Sequence, residues 1–104
     1  MARLEDILKD TGYLSVRGDV KLNVSKVTSD SRDVVPGSLF IAVRGTHVDG
    51  HDFISKAVGA GATAILCEKM PARTPDNITF VTVQDASMAL GKAASSFYGN
   101  PSSK

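Results

Sequence analysis

The polar side chains with binding chemistry are concentrated in two short segments of this sequence, residues 29–32 and 44–51. Serine and threonine hydroxyls donate and accept hydrogen bonds, and arginine offers a planar cationic fork. Glycines let a ligand approach the backbone closely. Such a set suits a polar ligand that carries phosphate groups and sugar hydroxyls, for example a nucleotide sugar. The candidate binding residues are Ser29, Asp30, Ser31, Arg32, Gly45, Thr46, His47 and Val48.

Each polar segment directly follows a predicted strand, the first after residues 24–28 and the second after residues 39–43. In open α/β sheets, ligands bind beyond the carboxyl ends of strands, where the loops diverge. The second segment also leads into a helix start near His51, whose free N–H groups and dipole favour an anion. We therefore expect the two segments to form one site.

The same residues also have a purely structural interpretation, which the residues alone support equally well. Asp30 and Ser31 would form an Asx-type turn, and Arg32 would pair with Asp33 or Asp49. The glycine-containing segment would then only turn a corner. These two interpretations predict different partners for Arg32, a ligand in one and a carboxylate of the chain in the other.

Other possible sites in the sequence are weaker. Residues 59–64 match the dinucleotide pattern G-x-G-x-x-G/A, but here a helix precedes the glycines and a strand follows, so a helix C-cap and tight turn are expected. The phosphate-binding sequence G-x-x-x-x-G-K-[ST] is absent. His47 and His51 lie too close to a helix start to predict a zinc site. Cys67 lies in an apolar run, which indicates a buried structural thiol.

The hydrophobic pattern predicts a single small three-layer α/β domain with a mostly parallel sheet. Apolar residues at helical spacing predict a first helix from Leu4, ended by Gly12, and a last helix capped by Asp85. Residues 36–37 predict a Pro-Gly turn. Residues 39–43, a helix from about 54, and residues 63–67 predict a βαβ unit with a right-handed crossover. Residues 78–83 predict a further strand, whereas residues 13–19 fit either a strand or an irregular segment.

Length and composition set the class of protein. A chain of 104 residues can bury one core, and 42% hydrophobic with 22% charged residues is ordinary for a soluble domain. A net charge of +1 and six per cent aromatic residues give no support for nucleic-acid binding. No apolar run approaches the ~20 residues of a membrane span, and no signal peptide is evident. The single cysteine suits a reducing, cytoplasmic location.

Four motifs together resemble the Mur ligase family, and more narrowly the N-terminal domain of its MurE type. The resemblance covers most of the chain from Val27 onward. The motifs are T-S-D-S-R at residues 28–32, P-G-S-L-F-I-A at 36–42, G-T-H-V-D-G-H-D-F at 45–53, and A-S-S-F-Y-G-N-P-S at 94–102.

The resemblance implies a cytoplasmic step of peptidoglycan synthesis. The MurE type joins a diamino acid, meso-diaminopimelate or L-lysine, to the D-Glu of UDP-MurNAc-L-Ala-D-Glu. ATP phosphorylates the substrate carboxylate, and the amino group of the incoming residue attacks, with Mg²⁺ assisting. The N-terminal domain anchors the UDP moiety through positions that fall on Ser29, Ser31 and residues 46–48. Some members have histidine where this chain has Thr46, so contacts there are expected through the backbone.

The resemblance further divides the chain into a substrate-binding domain, residues 1–99, and the start of a linker, residues 100–104. The linker would lead to an ATP-binding central domain and a C-terminal domain. The chain is therefore expected to bind UDP-MurNAc-L-Ala-D-Glu without catalysis and to hold neither ATP nor Mg²⁺ itself, with no nucleic acid or membrane as partner. Alternatives are the MurF type, the D-Ala-D-Ala adding ligase, and a non-catalytic nucleotide-sugar-binding or interaction module.

Overall fold

A computed structural model describes residues 2–9, 11–43, 54–69 and 77–98 of the chain. The helices are α1 (Leu4–Leu8), α2 (Ile54–Ala60) and α3 (Ala86–Tyr98), with a short 3-10 helix at Ser31–Asp33. The strands are β1 (Ala2–Arg3), β2 (Ser15–Arg17), β3 (Asn23–Val24), β4 (Lys26–Thr28), β5 (Ser38–Ile41), β6 (Ala64–Cys67) and β7 (Thr79–Thr82).

A five-stranded sheet with the order β2-β7-β6-β5-β4 forms the centre of the molecule. The pairs β4–β5, β5–β6 and β6–β7 are parallel, and β2 joins the edge antiparallel to β7. β1 and β3 form a separate two-stranded antiparallel ribbon. The predicted mostly parallel sheet is confirmed, and the ambiguous residues 13–19 contain the antiparallel edge strand.

The sheet is covered on both faces, which explains why its central strands are apolar without alternation. Successive residues of β5 and β6 point into two different clusters: Leu39, Ile41 and Leu66 pack with α1 and α3, whereas Phe40 and Ile65 pack with α2. In each of the strands β5, β6 and β7, all four residues are buried. The molecule therefore has three layers, as predicted.

The βαβ unit consists of β5, α2 and β6, and tight corners precede both of its strands. Before β5, the Ser38 N–H donates to the Val35 carbonyl (3.0 Å) and Gly37 has a φ of 91°, as the predicted Pro-Gly turn requires. Before β6, Gly61 has a φ of 114°, and Gly61 and Ala62 donate back to the last turn of α2. This is a Schellman C-cap, so the dinucleotide pattern at residues 59–64 is a structural corner.

The predicted strand at residues 24–28 is two strands, because the chain changes partners at Ser25. Val24 belongs to the ribbon and Lys26 to the main sheet. Between them, the Ser25 N–H donates to the Gly37 carbonyl (2.9 Å) and its hydroxyl donates to the Pro36 carbonyl (3.0 Å). These bonds tie the crossover point to the corner before β5.

The terminal helices agree with their sequence signals in most respects. α1 ends at Leu8, earlier than its apolar spacing suggests, and the turn that follows contains Gly12 at a φ of 66°. The Asp85 carboxylate accepts the Met88 N–H (3.1 Å), which confirms the predicted cap of α3. α3 buries Ala86, Ala89 and Ala93. Within the described residues, none of the helices is both long and apolar enough to cross a membrane.

Candidate functional site

The first polar segment lies at the carboxyl end of β4, beside the carboxyl end of β5. The two strands are parallel neighbours, with Thr28 opposite Phe40. Residues that follow β4 and residues that follow β5 therefore leave the sheet at the same edge, as expected. The second segment begins after Val43; its candidate residues Gly45, Thr46, His47 and Val48 lie outside the described residues, as do Asp49 and His51.

The turn after β4 is built around the Asp30 carboxylate. Its Oδ1 accepts the Arg32 backbone N–H (2.9 Å) and the Arg32 Nε–H (3.3 Å), and its Oδ2 accepts from Arg32 Nη2 (3.2 Å). The Asp33 N–H donates to the Asp30 carbonyl (3.0 Å), which closes the 3-10 turn. This is the Asx-type turn that the structural interpretation predicted. Asp30 serves as the N-cap of the 3-10 helix.

Of the two carboxylates predicted to pair with Arg32, Asp33 was wrong: Arg32 pairs with Asp30. The reason is geometric, because the Asx turn already brings the guanidinium back over the Asp30 carboxylate. Asp33 instead pairs with Lys26 Nζ (2.9 Å), which lies on β4. Asp49 lies outside the described residues.

Thr28 attaches the turn to the strand, a role that the sequence prediction missed. Its side chain is buried, and its Oγ1 accepts the Asp30 N–H (3.1 Å) while donating to Asp33 Oδ2 (3.5 Å). A hydroxyl at the end of a mostly apolar strand, two residues before an aspartate, is the sequence signal that could have indicated it. The turn is thus held at both of its ends.

The two serines of the turn keep their hydroxyls available. Ser29 is exposed and Ser31 is half-buried. Within the described part of the chain, neither hydroxyl has a hydrogen-bond partner. Ser31 opens the 3-10 helix, so its position is fixed by the Asp30 turn even though its side chain is not.

Charge in the turn is balanced internally. Hydrogen bonds from the Arg32 side chain, and then from its backbone N–H, lower the pKa of the Asp30 carboxyl, and the same carboxylate raises the pKa of Arg32. The Arg32 side chain is 89% exposed, so one face of the guanidinium remains open to solvent. A ligand at the turn would meet two hydroxyls and a neutralised ion pair.

The start of α3, at the same edge of the sheet, is already occupied by carboxylates. Glu68, which follows β6, accepts the Ala86 N–H (2.9 Å) through Oε2, and Asp85 accepts the Met88 N–H. Two negative groups at this helix N-terminus repel a phosphate. Among the described residues, no group of three metal-ligating side chains is present.

The family model described as "Mur ligase family, catalytic domain" matches residues 23–98. The chain belongs to the Mur ligase family. The predicted family is confirmed.

Two relatives of this Mur ligase chain carry the same name, UDP-N-acetylmuramoyl-L-alanyl-D-glutamate--2,6-diaminopimelate ligase. The protein from Bacteroides fragilis is 46% identical over 102 residues, which are 98% of this chain and 21% of that protein. The protein from Chlorobaculum tepidum is 46% identical over 106 residues, which cover 99% of this chain and 21% of that protein. The chain thus spans about a fifth of the length of the relatives it matches. The similarity includes the first ~25 residues, which the motifs did not cover.

Solved structures show the same fold. The UDP-N-acetylmuramoylalanyl-D-glutamyl-2,6-diaminopimelate--D-alanyl-D-alanyl ligase of Acinetobacter baumannii matches 91% of this chain and 21% of its own, with a TM-score of 0.75 at 22% identity. The MurF ligase of Thermotoga maritima in complex with ADP matches 72% of this chain and 17% of its own, with a TM-score of 0.60 at 35% identity. The Mur ligase domain fold predicted from the sequence is therefore observed.

Proposed function

We propose that this chain is the UDP-binding domain of a Mur ligase of the diaminopimelate-adding type. The observation that carries the proposal is the parallel pairing of β4 with β5. It brings residues 29–33 and the described residues that follow β5, as far as Val43, to the carboxyl ends of the strands, where α/β proteins bind ligands. The identity of 46% to relatives named for diaminopimelate addition supports this type.

The turn after β4 offers groups that suit the UDP part of UDP-MurNAc-L-Ala-D-Glu. The hydroxyls of Ser29 and Ser31, which have no partner among the residues that the structure describes, can bond to base or sugar oxygens. The open face of the Arg32 guanidinium can stack on a flat ring or approach a phosphate. Because Asp30 already neutralises Arg32, we assign the larger share of recognition to the hydroxyls and to backbone groups of residues 45–48.

The whole protein would join meso-diaminopimelate, or L-lysine, to the D-Glu carboxylate of that substrate in the cytoplasm. ATP and Mg²⁺ would act on other domains, because the residues of this chain do not suit them. The G-x-x-x-x-G-K-[ST] sequence is absent from the chain, and the N-terminus of α3 is capped by Glu68 and Asp85. This chain therefore binds and orients the nucleotide end of the substrate.

A titration of the ¹⁵N-labelled chain with UDP, followed by amide NMR shifts, tests the proposal. We expect millimolar UDP to shift residues 29–32 and 45–51 and to leave β2 unchanged. Ser31→Ala should raise the Kd for UDP about three- to tenfold, the value of one hydrogen bond. Ser87→Ala, an exposed serine on α3, is the matched control and should bind like the wild type. If millimolar UDP causes no amide shifts, or shifts only residues outside 29–32 and 45–51, the proposal is overturned.

The MurF type is the second candidate, since the Acinetobacter and Thermotoga structures have that activity in their names. The lower identity of 22% to the Acinetobacter protein, against 46% to the diaminopimelate ligases, places it second. Assaying the full-length protein with diaminopimelate and with D-Ala-D-Ala as acceptors separates the two. Turnover with D-Ala-D-Ala alone would favour MurF.

A further inference from the structure

The Tyr98 side chain binds the outer edge of β4. The Val27 N–H donates to the Tyr98 hydroxyl oxygen (3.0 Å), and the hydroxyl donates to the Val27 carbonyl (3.1 Å). β4 is the last strand of the sheet and pairs with β5 on its other side. One phenol thus satisfies both outward backbone groups of Val27, which a further strand would otherwise take.

β4 leads from this contact directly into the candidate nucleotide-binding turn. Val27 is followed by Thr28, whose Oγ1 accepts the Asp30 N–H, and Asp30 in turn organises the backbone of Arg32. The contact with Tyr98 therefore lies one residue from the anchor of the turn. β4 has only three residues, so this pair of hydrogen bonds adds to the pairing with β5 in fixing its position.

α3 holds the phenol in place. The helix is packed into the core through Ala86, Ala89 and Ala93, and Tyr98 is its last residue. The ring of Phe97 meets the Tyr98 ring edge-on, with centroids 4.6 Å apart. Tyr98 itself is 59% exposed, so burial of its ring contributes little to its orientation. The two hydrogen bonds of its hydroxyl explain that orientation better.

We propose that Tyr98 is a positioning residue for the nucleotide-binding turn, acting through the backbone of Val27. Its hydroxyl couples the end of α3 to residues 29–32. The affinity part of this inference rests on the function proposed above, whereas the coupling itself is a property of the ligand-free chain. Without the hydroxyl, the outer side of β4 exchanges its bonds with water, and the strand that carries the Thr28 anchor of the turn is held less firmly until the ligand binds. The binding free energy then includes the cost of ordering that strand.

Tyr98→Phe tests the inference, because it removes one oxygen and keeps the ring and its contact with Phe97. In the ligand-free chain we expect faster amide hydrogen exchange at Val27 and altered amide shifts at Asp30 and Arg32. In the UDP titration we expect the Kd to rise about three- to tenfold, because the two lost hydrogen bonds are only part-buried. Tyr13→Phe is the matched control. Tyr13 precedes β2, the outermost strand on the side of the sheet away from β4, and its variant should match the wild type in both measurements.

The outcomes separate the two proposals. If the wild type binds UDP and Tyr98→Phe binds equally well with an unchanged turn, the positioning role is wrong while the proposed function stands. If the wild type does not bind UDP, the proposed function fails, and the exchange and shifts of the ligand-free variants still decide the coupling. If amide exchange and shifts change evenly over the whole sheet, and the urea midpoint of unfolding falls as well, the variant has a general effect on stability. That outcome would also contradict the inference.

Discussion

The Asp30 carboxylate determines the shape of the turn after β4, since its two oxygens accept three hydrogen bonds from Arg32. The sequence predicted the Asx turn, because aspartate in a polar run after a strand favours it. It did not predict the partner of Arg32, because the side-chain path depends on the closed 3-10 turn. It also could not distinguish a ligand-binding turn from a structural one, and the structure shows the internal hydrogen bonds of the structural interpretation.

The pH dependence of this turn follows from the lowered pKa of Asp30. A carboxyl whose folded pKa lies below its unfolded value stabilises the folded turn fully above the unfolded value, and this contribution is lost as the pH falls through the folded value. We expect the Arg32 amide shift to change with an acid midpoint below the ordinary pKa of aspartate. It should follow the shift of the Asp30 carboxyl carbon, as measured by NMR.

Two variants control this titration. Arg32→Gln removes the guanidinium and should return the Asp30 pKa toward its ordinary value, because the side-chain hydrogen bond to Arg32 is the largest cause of the shift. Asp30→Asn keeps an oxygen acceptor for the Arg32 N–H and should abolish the acid transition at that amide. A wild-type Asp30 that titrates in the ordinary range or above it would contradict the prediction.

Cys67 is expected to be unreactive in the native protein. It is fully buried on β6, and burial raises the pKa of its thiol to about 11. Since the thiolate is the nucleophile, little of the group is reactive at pH 8. Modification by a disulfide reagent at that pH should therefore proceed only as fast as the chain opens, and should become rapid in denaturing urea. Fast, stoichiometric labelling of the folded chain would show that the thiol is accessible.

At the scale of elements, two corners hold the amino ends of β5 and β6 together. The Gly37 N–H donates to the Gly61 carbonyl (3.0 Å), and a Cβ placed on Gly61 would lie 2.8 Å from the Pro36 Cα. Gly61 also has a φ of 114°, a backbone conformation that residues with a side chain rarely adopt. The corner before β6 thus requires glycine for both its backbone conformation and its space.

Gly61→Ala should destabilise the fold by about 1–3 kcal/mol, the cost of a strained backbone position, and the contact with Pro36 adds to it. Gly59→Ala is the matched control, because Gly59 lies within α2 and a Cβ there meets nothing within 4 Å. That variant should stabilise the chain by about 0.5–1 kcal/mol through helix propensity. Urea denaturation measures both; equal midpoints for the two variants would contradict the argument.

The elements that the sequence predicted well are those whose pattern is local. The strands within residues 39–43 and 63–67 were predicted as buried because both faces of the sheet are covered and their sequence is mainly apolar. Residues 78–83, which contain Thr79 and Thr82 among apolar residues, were predicted as a β-rich run. Of the short strands, β1 was not predicted, β2 lies in the ambiguous segment, and β3 was predicted only as the start of a single strand at residues 24–28. They contain two or three residues each, and distant partners define them: β2 pairs with β7, far along the chain. Periodicity carries no signal at that length.

At the scale of the molecule, the two edges of the parallel sheet differ in character. The amino ends carry the glycine corners around Pro36 and Gly61, which pack against each other. At the carboxyl ends, the turn after β4 presents two serine hydroxyls, which have no partner among the described residues, and the start of α3 presents carboxylates. We expect the carboxylates to steer an anionic ligand away from α3 and toward the turn after β4.

We predict that the chain binds the nucleotide substrate without catalysing the ligation. With UDP-MurNAc-L-Ala-D-Glu, ATP, Mg²⁺ and diaminopimelate all present, we expect no phosphate release and no ligated product above background. The physical reason is that the chain contains no G-x-x-x-x-G-K-[ST] sequence, and the described residues contain no cluster of three metal-ligating side chains.

The full-length Bacteroides fragilis relative, which the chain matches over 21% of its length, serves as the positive control. If the chain binds the nucleotide end of the substrate as proposed, it should instead slow the relative's reaction by sequestering substrate, to an extent that grows as its concentration exceeds its Kd for that substrate. ATP-dependent turnover by the purified chain would refute the assignment of the chemistry to other domains.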